Sequence, residues 1–341
     1  MAATIQEIAT RTGLSKPAVS QILNNKPGYK AETRERVLKA AAEMGYRPNE
    51  AARAITSGRF GCVALVLGTD FNRSNIPPPF LRGVHDALAK SDWHLTFTML
   101  PDEQLGTEQG LPKILRHWFA DGLLLNYTHR IPVHMQELIE KYKLPSIWIN
   151  SIQKADCVHP DDRGAGEMAT QHLLNAGHKD IALVDYSHPL EELSTLHYSA
   201  TDRMGGYQEA MKAAKLASRV IRPATSNIPG GRVEQIKAWL SRPDRPTAAV
   251  VYGNHDGIVL YHTACLLNIK VPEELSIVSF DDAPFELLGR RFSMCQVPSY
   301  DVGFEAIELL RKKIEAPVKA LPPRALPFTW VHGETIAKPC R

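Results

Sequence analysis

Seven short apolar runs, separated by stretches of helical pattern, constrain the fold of this chain more than any other feature. Each run is continuous rather than alternating, which is typical of parallel strands that helices cover on both faces. The succession fills most of the 341 residues, which is more than one core of ordinary size holds. It therefore predicts an α/β fold with two parallel-sheet lobes. The runs are CVALVLG (62–68), HLTFTML (94–100), DGLLLN (121–126), PSIWIN (145–150), DIALVDY (180–186), TAAVVYG (247–253) and LSIVSFDD (275–282).

The charge lies unevenly along the chain. Residues 1–59 contain ten Lys and Arg against five Glu and no Asp, whereas the remainder holds 30 basic and 32 acidic residues. A basic head on a near-neutral body favours a polyanion as the partner of the head. A charged surface that is merely solvated is the alternative that charge alone leaves open.

Three short helices are predicted in this head. The first begins with a capping box at Thr4 and ends before Gly13, the second runs from Ser15 to about Asn24, and the third covers residues 31–44. Helical spacing places an apolar set inward and leaves a polar face outward on the second helix. The inward set is Ala18, Val19, Ile22, Leu23, Val37, Leu38, Ala41 and Ala42, and the outward set is Lys16, Pro17, Ser20 and Gln21. The arrangement is typical of a helix-turn-helix, with a generic three-helix cap on an enzyme as the alternative.

The segment over residues 49–59 can form a helix only against a partner, because so few residues do not hold helical structure alone in water. It carries a cation, Arg53, and an apolar side chain, Ile55. These suit a DNA minor groove, where a cation reads the narrow groove and an apolar wedge separates two base pairs. A flexible linker without a function is the alternative.

Polar residues that follow the apolar runs are candidates for a ligand site, because open parallel sheets bind ligands at the carboxyl ends of their strands. One of these candidates, Asp281, belongs to a pair of adjacent carboxylates, Asp281-Asp282, and Asp161-Asp162 form a second such pair. We expect each pair to supply one carboxylate to a ligand and one to a cap or loop. The candidates by position are Asp70, Asn75, Asn126, Asn150, Asp185, Asn254 and Asp281.

The sequence contains no pattern that indicates an enzyme. A phosphate-binding loop and a nucleophile elbow are both absent, so no catalytic residue and no cofactor is expected. The stretch Gly164 to Ala169 matches G-x-G-x-x-A, but the preceding VHPDDR does not read as a strand, which indicates an accidental match. His255, His262 and Cys265 share a predicted helix face without a carboxylate, so no metal site is expected.

The cysteines and the apolar runs indicate where such a chain works. The five cysteines are odd in number and never form a C-x-x-C pair, which favours a reducing cytoplasm. No run is long enough for a membrane helix, and Glu7 and Arg11 stand where a signal peptide is apolar. No membrane partner is therefore expected.

Together these residues resemble the lactose-repressor (LacI) family of bacterial transcription regulators. The head TIQEIATRTGLSKPAVSQILNNKPGYKAETRERVLKAAAEMGYRPNEAARAI looks like that family's helix-turn-helix and hinge helix. The body shows similar landmarks in the family's order: HLLNAGHKDIALV, TDRMGGYQEAM, SRPDRPTAAVV, NIKVPEELSIVSFDDAPF and PSYDVG. The resemblance covers essentially the whole chain. It implies an all-α head joined by a hinge helix to a two-lobed core like that of periplasmic sugar-binding proteins.

The resemblance also implies a function. It is that of a sequence-specific regulator, a repressor, which binds a pseudo-palindromic double-stranded operator as a homodimer in the cytoplasm, on the nucleoid. A small ligand, a sugar or sugar derivative, would control DNA binding from the core. The tail lacks the leucine heptads of a tetramerising coiled coil. A sugar-binding transport protein is the alternative from another class, and an enzyme of the same core fold comes third.

Individual roles carry over by position. Lys16, Pro17 and Gln21 match base-reading positions, Ala52-Arg53 matches the hinge pair and Ile55 the minor-groove wedge. Arg203 and Asp281 match the residues that grip the effector. Asn227 stands where relatives often have an aromatic residue, and Gly253-Asn254 where Asn-Asp is common. The expected DNA contacts are thus Thr4, Ser15, Lys16, Pro17, Ser20, Gln21, Asn24, Arg53 and Ile55, and the expected effector contacts are Asn75, Arg203, Asn227, Asn254 and Asp281.

Three domains are expected from these observations. The helix-turn-helix domain covers residues 1–48, the hinge helix and linker 49–59, and the ligand-sensing core 60–341. Within the core, lobe one takes about 60–159 and 292–324, and lobe two takes about 160–291 and 325–341.

Overall fold

The structure is a computed structural model that describes residues 3–47, 59–68, 75–91, 93–100, 120–126, 133–191, 196–227 and 230–340. The chain forms two compact units, Met1–Phe60 and Gly61–Arg341, which we call the head and the core. The expected hinge helix, with Arg53 and Ile55, lies outside the described residues. Helices and strands are numbered below in chain order among the residues that are described.

The head contains three helices, α1 (Ile5–Thr12), α2 (Lys16–Leu23) and α3 (Ala31–Glu43). The predicted capping box is confirmed, because the Thr4 side chain accepts from the Glu7 amide while the Glu7 carboxylate accepts from the Thr4 amide. Gly13 ends α1 in the left-handed conformation at φ 69°, which is the role of a glycine at a helix end. The helices bury a shared apolar core of Ile8, Ala9, Val19, Ile22, Val37, Ala40 and Ala41.

Two residues of α3 were expected inside and lie outside. Leu38 is 48% exposed and Ala42 is also exposed. The buried face consists of Val37, Ala40 and Ala41, which follow helical spacing of three and four residues. The predicted buried face of α3 was therefore wrong at Leu38 and Ala42, each of which directly follows a buried residue in the sequence.

Lobe one of the core is built on a wholly parallel sheet in the order β13-β5-β4-β3-β1-β2. Its helices pack against this sheet over a core that includes Val63, Leu65, Leu124, Ile147 and Leu310. The strands are β1 (Cys62–Gly68), β2 (His94–Leu100), β3 (Gly122–Asn126), β4 (Ser146–Ile149), β5 (Cys157–Pro160) and β13 (Arg324–Leu326), and the helices are α4 (Pro78–Leu88), α5 (Val133–Tyr142) and α10 (Ser299–Glu315).

Lobe two repeats this plan with the sheet order β14-β12-β9-β8-β6-β7, in which only the β12–β14 pair is antiparallel. Two apolar clusters cover its two faces. The strands are β6 (Ile181–Val184), β7 (Arg219–Ile221), β8 (Ala248–Val251), β9 (Ser276–Asp281), β12 (Ser293–Gln296) and β14 (Thr329–Val331). The helices are α6 (Asp162–Asn175), α7 (Tyr198–Ala213), α8 (Gly231–Leu240) and α9 (Asn254–Leu266). Two further short strands, β10 (Glu286–Leu287) and β11 (Arg290–Arg291), form a hairpin.

The chain passes between the lobes three times, after β5, after β12 and after β13. This changes two expected boundaries. Residues 293–296 form β12 of lobe two, although residues 292–324 were expected in lobe one. Residues 324–326 form β13 of lobe one, although residues 325–341 were expected in lobe two. Each crossing contains a proline, at Pro160, Pro298 and Pro327.

Strand β5 overturns one expectation, because residues 157–160 pair with both β4 and β13. The G-x-G-x-x-A match at residues 164–169 therefore does follow a strand. However, both glycines lie inside α6, and a Cβ on Gly166 would stand 2.2 Å from the Arg203 carbonyl oxygen. Gly166 thus permits close packing of α6 on α7, and the glycines do not form the loop that a dinucleotide requires. None of the helices in the described residues has the length and apolar character needed to cross a bilayer.

Candidate functional site

The exposed face of α2 carries most of the residues predicted to contact DNA. Ser15 caps the helix by accepting from the Ala18 amide at 3.3 Å, and Pro17 lies in the first turn, where its missing N–H does no harm. Lys16, Pro17 and Gln21 are exposed, and Ser20 is half-buried. The first one and a half turns of α2 therefore present the Lys16 ammonium and the Gln21 amide to solvent.

Two further predicted residues lie at the ends of the helices. Thr4 caps α1, while Asn24 follows α2 and donates to the Ser20 carbonyl at 2.9 Å. One residue on this surface was missed from the sequence, since the Tyr29 hydroxyl donates to the Gln21 Oε1 at 2.7 Å. In the sequence, Tyr29 is visible only as a polar aromatic residue after Pro27-Gly28, and this pattern does not indicate a contact with Gln21.

A cavity of about 820 Å³ lies between the two lobes of the core. Lobe one contributes Asn75, Asn126 and Asn150, together with the apolar side chains of Ile76, Phe80 and Ile149. Asn126 ends β3 and Asn150 follows β4, so the carboxyl ends of two parallel strands supply the polar wall, as their positions predicted. Lobe two contributes Asp162, Ser187, His188, Arg203, Arg232 and Tyr252.

Asn126 is the most informative of these residues. Its side chain is 1% exposed, and its Oδ1 has no hydrogen-bond partner in the described part of the chain. A buried amide oxygen without a donor costs on the order of 1–3 kcal/mol, so such atoms are rare in folded proteins. A donor that enters the cavity would remove this cost.

Arg203, on α7, is held in the cavity by two bonds. Its Nε donates to the Asp162 carboxylate at 2.7 Å, and its Nη1 donates to the Tyr252 carbonyl at 2.6 Å. Its guanidinium carbon also lies 4.8 Å from the Tyr252 ring and 4.5 Å from the Phe280 ring. The predicted ligand residue is thus already oriented, and its charge is balanced by Asp162.

A second group of charges lies beside it in lobe two. Asp185 accepts from Arg222 at 2.8 Å and from His188 Nδ1 at 3.0 Å. Asp256 accepts from Arg232 at 2.9 Å, and burial raises the pKa of this carboxyl. Each arginine therefore has a carboxylate partner. None of these partnerships was found from the sequence, and the partners of both arginines lie more than twenty residues away in the chain.

Two contacts of Asn150 join the lobes across the cavity. His197 Nε2 lies 3.0 Å from the Asn150 carbonyl, and the Tyr198 hydroxyl donates to Asn150 Oδ1 at 3.3 Å. Burial lowers the pKa of His197, which keeps the ring neutral, so Nε2 carries the proton that it donates. The start of α7 in lobe two is thus tied to the end of β4 in lobe one.

Three of the five predicted effector residues do not line this cavity. Asp281 accepts from Asn254, while the neighbouring Asp282 faces the cavity and accepts from the Ser299 hydroxyl. Asn227 is exposed on the chain between β7 and α8. Of the predicted set, Asn75 and Arg203 line the cavity, and so does Asp282, the neighbour of Asp281. Burial raises the pKa of Asp282.

The described residues contain no group of three side chains that could hold a metal ion. His262 and Cys265, which share a face of α9, are both exposed. The carboxylate pair at 161–162 divides as expected, since Asp161 caps α6 through the Gly164 amide while Asp162 faces the cavity.

Two known protein families match separate parts of this chain. Residues 4–49 match the family described as bacterial regulatory proteins, lacI family, and residues 170–336 match the periplasmic binding protein-like domain. Over nearly its full length the chain is similar to two curated proteins. It is 27% identical to catabolite control protein A of Priestia megaterium, covering 92% of both chains, and 27% identical to the ribose operon repressor of Bacillus subtilis (strain 168), covering 98% of this chain and 99% of the repressor.

Solved structures show the same fold. A lac repressor dimer bound to operator and the anti-inducer ONPF aligns with a TM-score of 0.79 at 17% identity, covering 99% of this chain and all of that one. A LacI family regulator from Enterococcus faecium with bound ribose aligns with a TM-score of 0.62 at 20% identity, covering 81% of this chain and 99% of that one. The two-lobed core agrees in both solved structures, and the lac repressor structure also spans the head, so the chain combines a head of the lacI family of bacterial regulatory proteins with a periplasmic binding protein-like core.

Proposed function

We propose that this protein is a transcriptional repressor that binds double-stranded operator DNA through its head and a small hydroxylated effector through the cavity of its core. It acts as a homodimer on a pseudo-palindromic operator, in the cytoplasm and on the nucleoid. No catalytic step is assigned to it. The relatives named as repressors, one of the ribose operon, favour a sugar or a sugar derivative as the effector.

The exposed face of α2 supports the DNA-binding half of this proposal. Lys16 and Gln21 stand on it without apolar cover, and the head holds all of the excess positive charge of the chain. A short helix with these side chains on its N-terminal turns suits the DNA major groove. A transport protein has no use for such a head, which disfavours that alternative.

The Oδ1 of Asn126, which has no hydrogen-bond partner among the described residues, supports the effector half. It needs a donor, and hydroxyl groups are donors that carry no charge. Arg203 and Arg232 already have carboxylate partners in lobe two, so the cavity does not demand an ionic ligand. A polyhydroxylated molecule fits these groups, since each hydroxyl can both donate and accept.

Retention on immobilised duplex DNA of mixed sequence, at low salt, tests the first half. We expect the full chain to be retained and to elute as salt rises. Passage through the column without retention contradicts the proposal. A complex whose size in analytical ultracentrifugation corresponds to one subunit on DNA contradicts the homodimer.

A thermal-shift screen tests the second half, because a ligand that binds only the folded core raises its unfolding midpoint. The panel comprises pentoses, hexoses, their phosphates and uronates. We expect at least one compound to raise the midpoint of the wild type and of Asn227→Ala, but not that of Asn126→Leu, which lacks the amide oxygen. An equal response of Asn126→Leu removes Asn126 from the site.

A further inference from the structure

The hydrogen bond between Tyr29 and Gln21 links the loop before α3 to the exposed face of α2. The Tyr29 hydroxyl donates to Gln21 Oε1 at 2.7 Å. The two residues are eight positions apart, so the bond is not part of the hydrogen bonding of α2 itself. Gln21 is exposed, whereas Tyr29 is half-buried and packs against the apolar core of the head.

This packing gives the bond its effect on Gln21. A tyrosine has only two side-chain torsions, so a ring held by core contacts also holds its hydroxyl in one place. An exposed glutamine has three torsions and would otherwise sample many orientations. A tyrosine hydroxyl can donate or accept, and here it donates to Gln21, which favours the orientations in which the amide oxygen is turned toward the loop.

The selected orientation decides which hydrogen bonds Gln21 offers. A glutamine reads adenine by using both ends of its amide, accepting from N6 and donating to N7. Here the oxygen is engaged by Tyr29, and the two N–H donors on Nε2 have no partner among the described residues of the head. Guanine presents two acceptors, O6 and N7, in the same groove.

We propose that Tyr29 is a specificity-determining residue that holds Gln21 as a hydrogen-bond donor, so that Gln21 selects guanine over adenine. Tyr29 does this without a base contact of its own. The inference rests on the proposed DNA-binding function.

The test is selection by the full chain from a library of randomised double-stranded DNA, followed by sequencing. The base pair at which Gln21→Ala loses its preference identifies the position that Gln21 reads. We expect the wild type to prefer guanine there, and Tyr29→Phe to discriminate guanine from adenine about fivefold less, the equivalent of one neutral hydrogen bond. Tyr142→Phe removes a hydroxyl from an exposed tyrosine of the core and should change no preference.

A second variant keeps the test independent of the packing of Tyr29. Gln21→Glu retains the acceptor for Tyr29 but has no N–H donor, so it should lose the guanine preference while the head keeps its unfolding midpoint. Adenine at this position in the wild type, or an unchanged preference in either variant, overturns the inference and leaves the proposed function intact. So does a Gln21→Ala variant that alters no position. If the wild type enriches no sequence at all, the proposed function fails as well.

Discussion

Gly206 lies so close to Arg163 that a Cβ on Gly206 would stand 2.0 Å from the Arg163 carbonyl oxygen. The residues belong to α7 and α6, and the contact is matched by that of Gly166 with the carbonyl of Arg203, one turn away. The two helices thus touch through their backbones at two points. This close approach positions Arg203, since the residue that grips Asp162 is also part of the helix contact.

We expect Gly206→Ala to lower the free energy of unfolding by about 1–3 kcal/mol or more, because the helices must separate to admit the methyl group. Chemical denaturation of the core measures this. Gly253→Ala is the matched control, since its Cβ would meet no atom within 4 Å and its backbone is extended. Equal stability of Gly206→Ala and Gly253→Ala would contradict the backbone contact.

The pair of Arg203 and Asp162 gives a second prediction. Their side chains are 11% and 1% exposed, so removal of Asp162 leaves a buried guanidinium without its carboxylate. We expect Asp162→Ala to cost about 3–5 kcal/mol of stability and to abolish the thermal response to the effector. Glu209→Ala removes one partner of the exposed pair with Arg163 and should leave both properties nearly unchanged.

Salt should act strongly on DNA binding. Each Lys or Arg that neutralises a phosphate releases a condensed counterion, so the logarithm of affinity should fall linearly with the logarithm of salt concentration. Fluorescence anisotropy with a labelled duplex measures the slope. We expect Lys39→Ala, at an exposed lysine on α3, to affect the slope less than Lys16→Ala, and an affinity that ignores salt contradicts the role of the basic head.

Histidine titration should make the core less stable as the pH falls. Burial lowers the pKa of His178, which lies 2.9 Å from Thr247 Oγ1 and 2.9 Å from the Ala337 carbonyl. Below about pH 6.5 the unfolded chain therefore binds a proton that the folded chain does not, and stability decreases with falling pH. The pKa values of His172 and His197 are shifted in the same direction.

Unfolding midpoints between pH 7.5 and 6.0 check this sign, because carboxyl groups such as Asp282, whose pKa is raised, act in the opposite direction at lower pH. His178→Gln should show a flatter curve than the wild type over this range. A midpoint that rises as the pH falls would show that His178 is protonated in the folded core.

The fold was largely predictable from the sequence, because each of the seven apolar runs contains a strand and each run is long enough to show continuous apolar character. Residues of β5, β7, β12, β13 and β14 were missed, since these strands have three or four residues and include Pro160, Arg219, Gln296, Arg324 and Thr329, respectively. A short run with polar members carries no periodic signal. The boundaries of the lobes were displaced for the same reason, because β12 and β13 mark the crossings.

The sequence located the site at the ends of the strands, but it did not identify which individual side chains line the cavity. Asn126 and Asn150 follow from that rule, but Asp281 was chosen where Asp282 faces the cavity. Asp281 is the last residue of β9 and Asp282 follows it, so a shift of one residue exchanges a carboxylate that lines the cavity for one that accepts from Asn254. Partners such as Asp256 and Arg232 join distant parts of the chain, and a single sequence does not show that they meet.

The three crossings between the lobes have a consequence for synthesis on the ribosome. Lobe one needs β13 and lobe two needs β14, and both strands come from residues 324–331, near the end of the chain. Neither sheet can acquire its last strand until residues 324–331 have been translated. The nascent core must therefore wait with two open sheet edges, and termination of synthesis before residue 324 would leave both lobes incomplete at once.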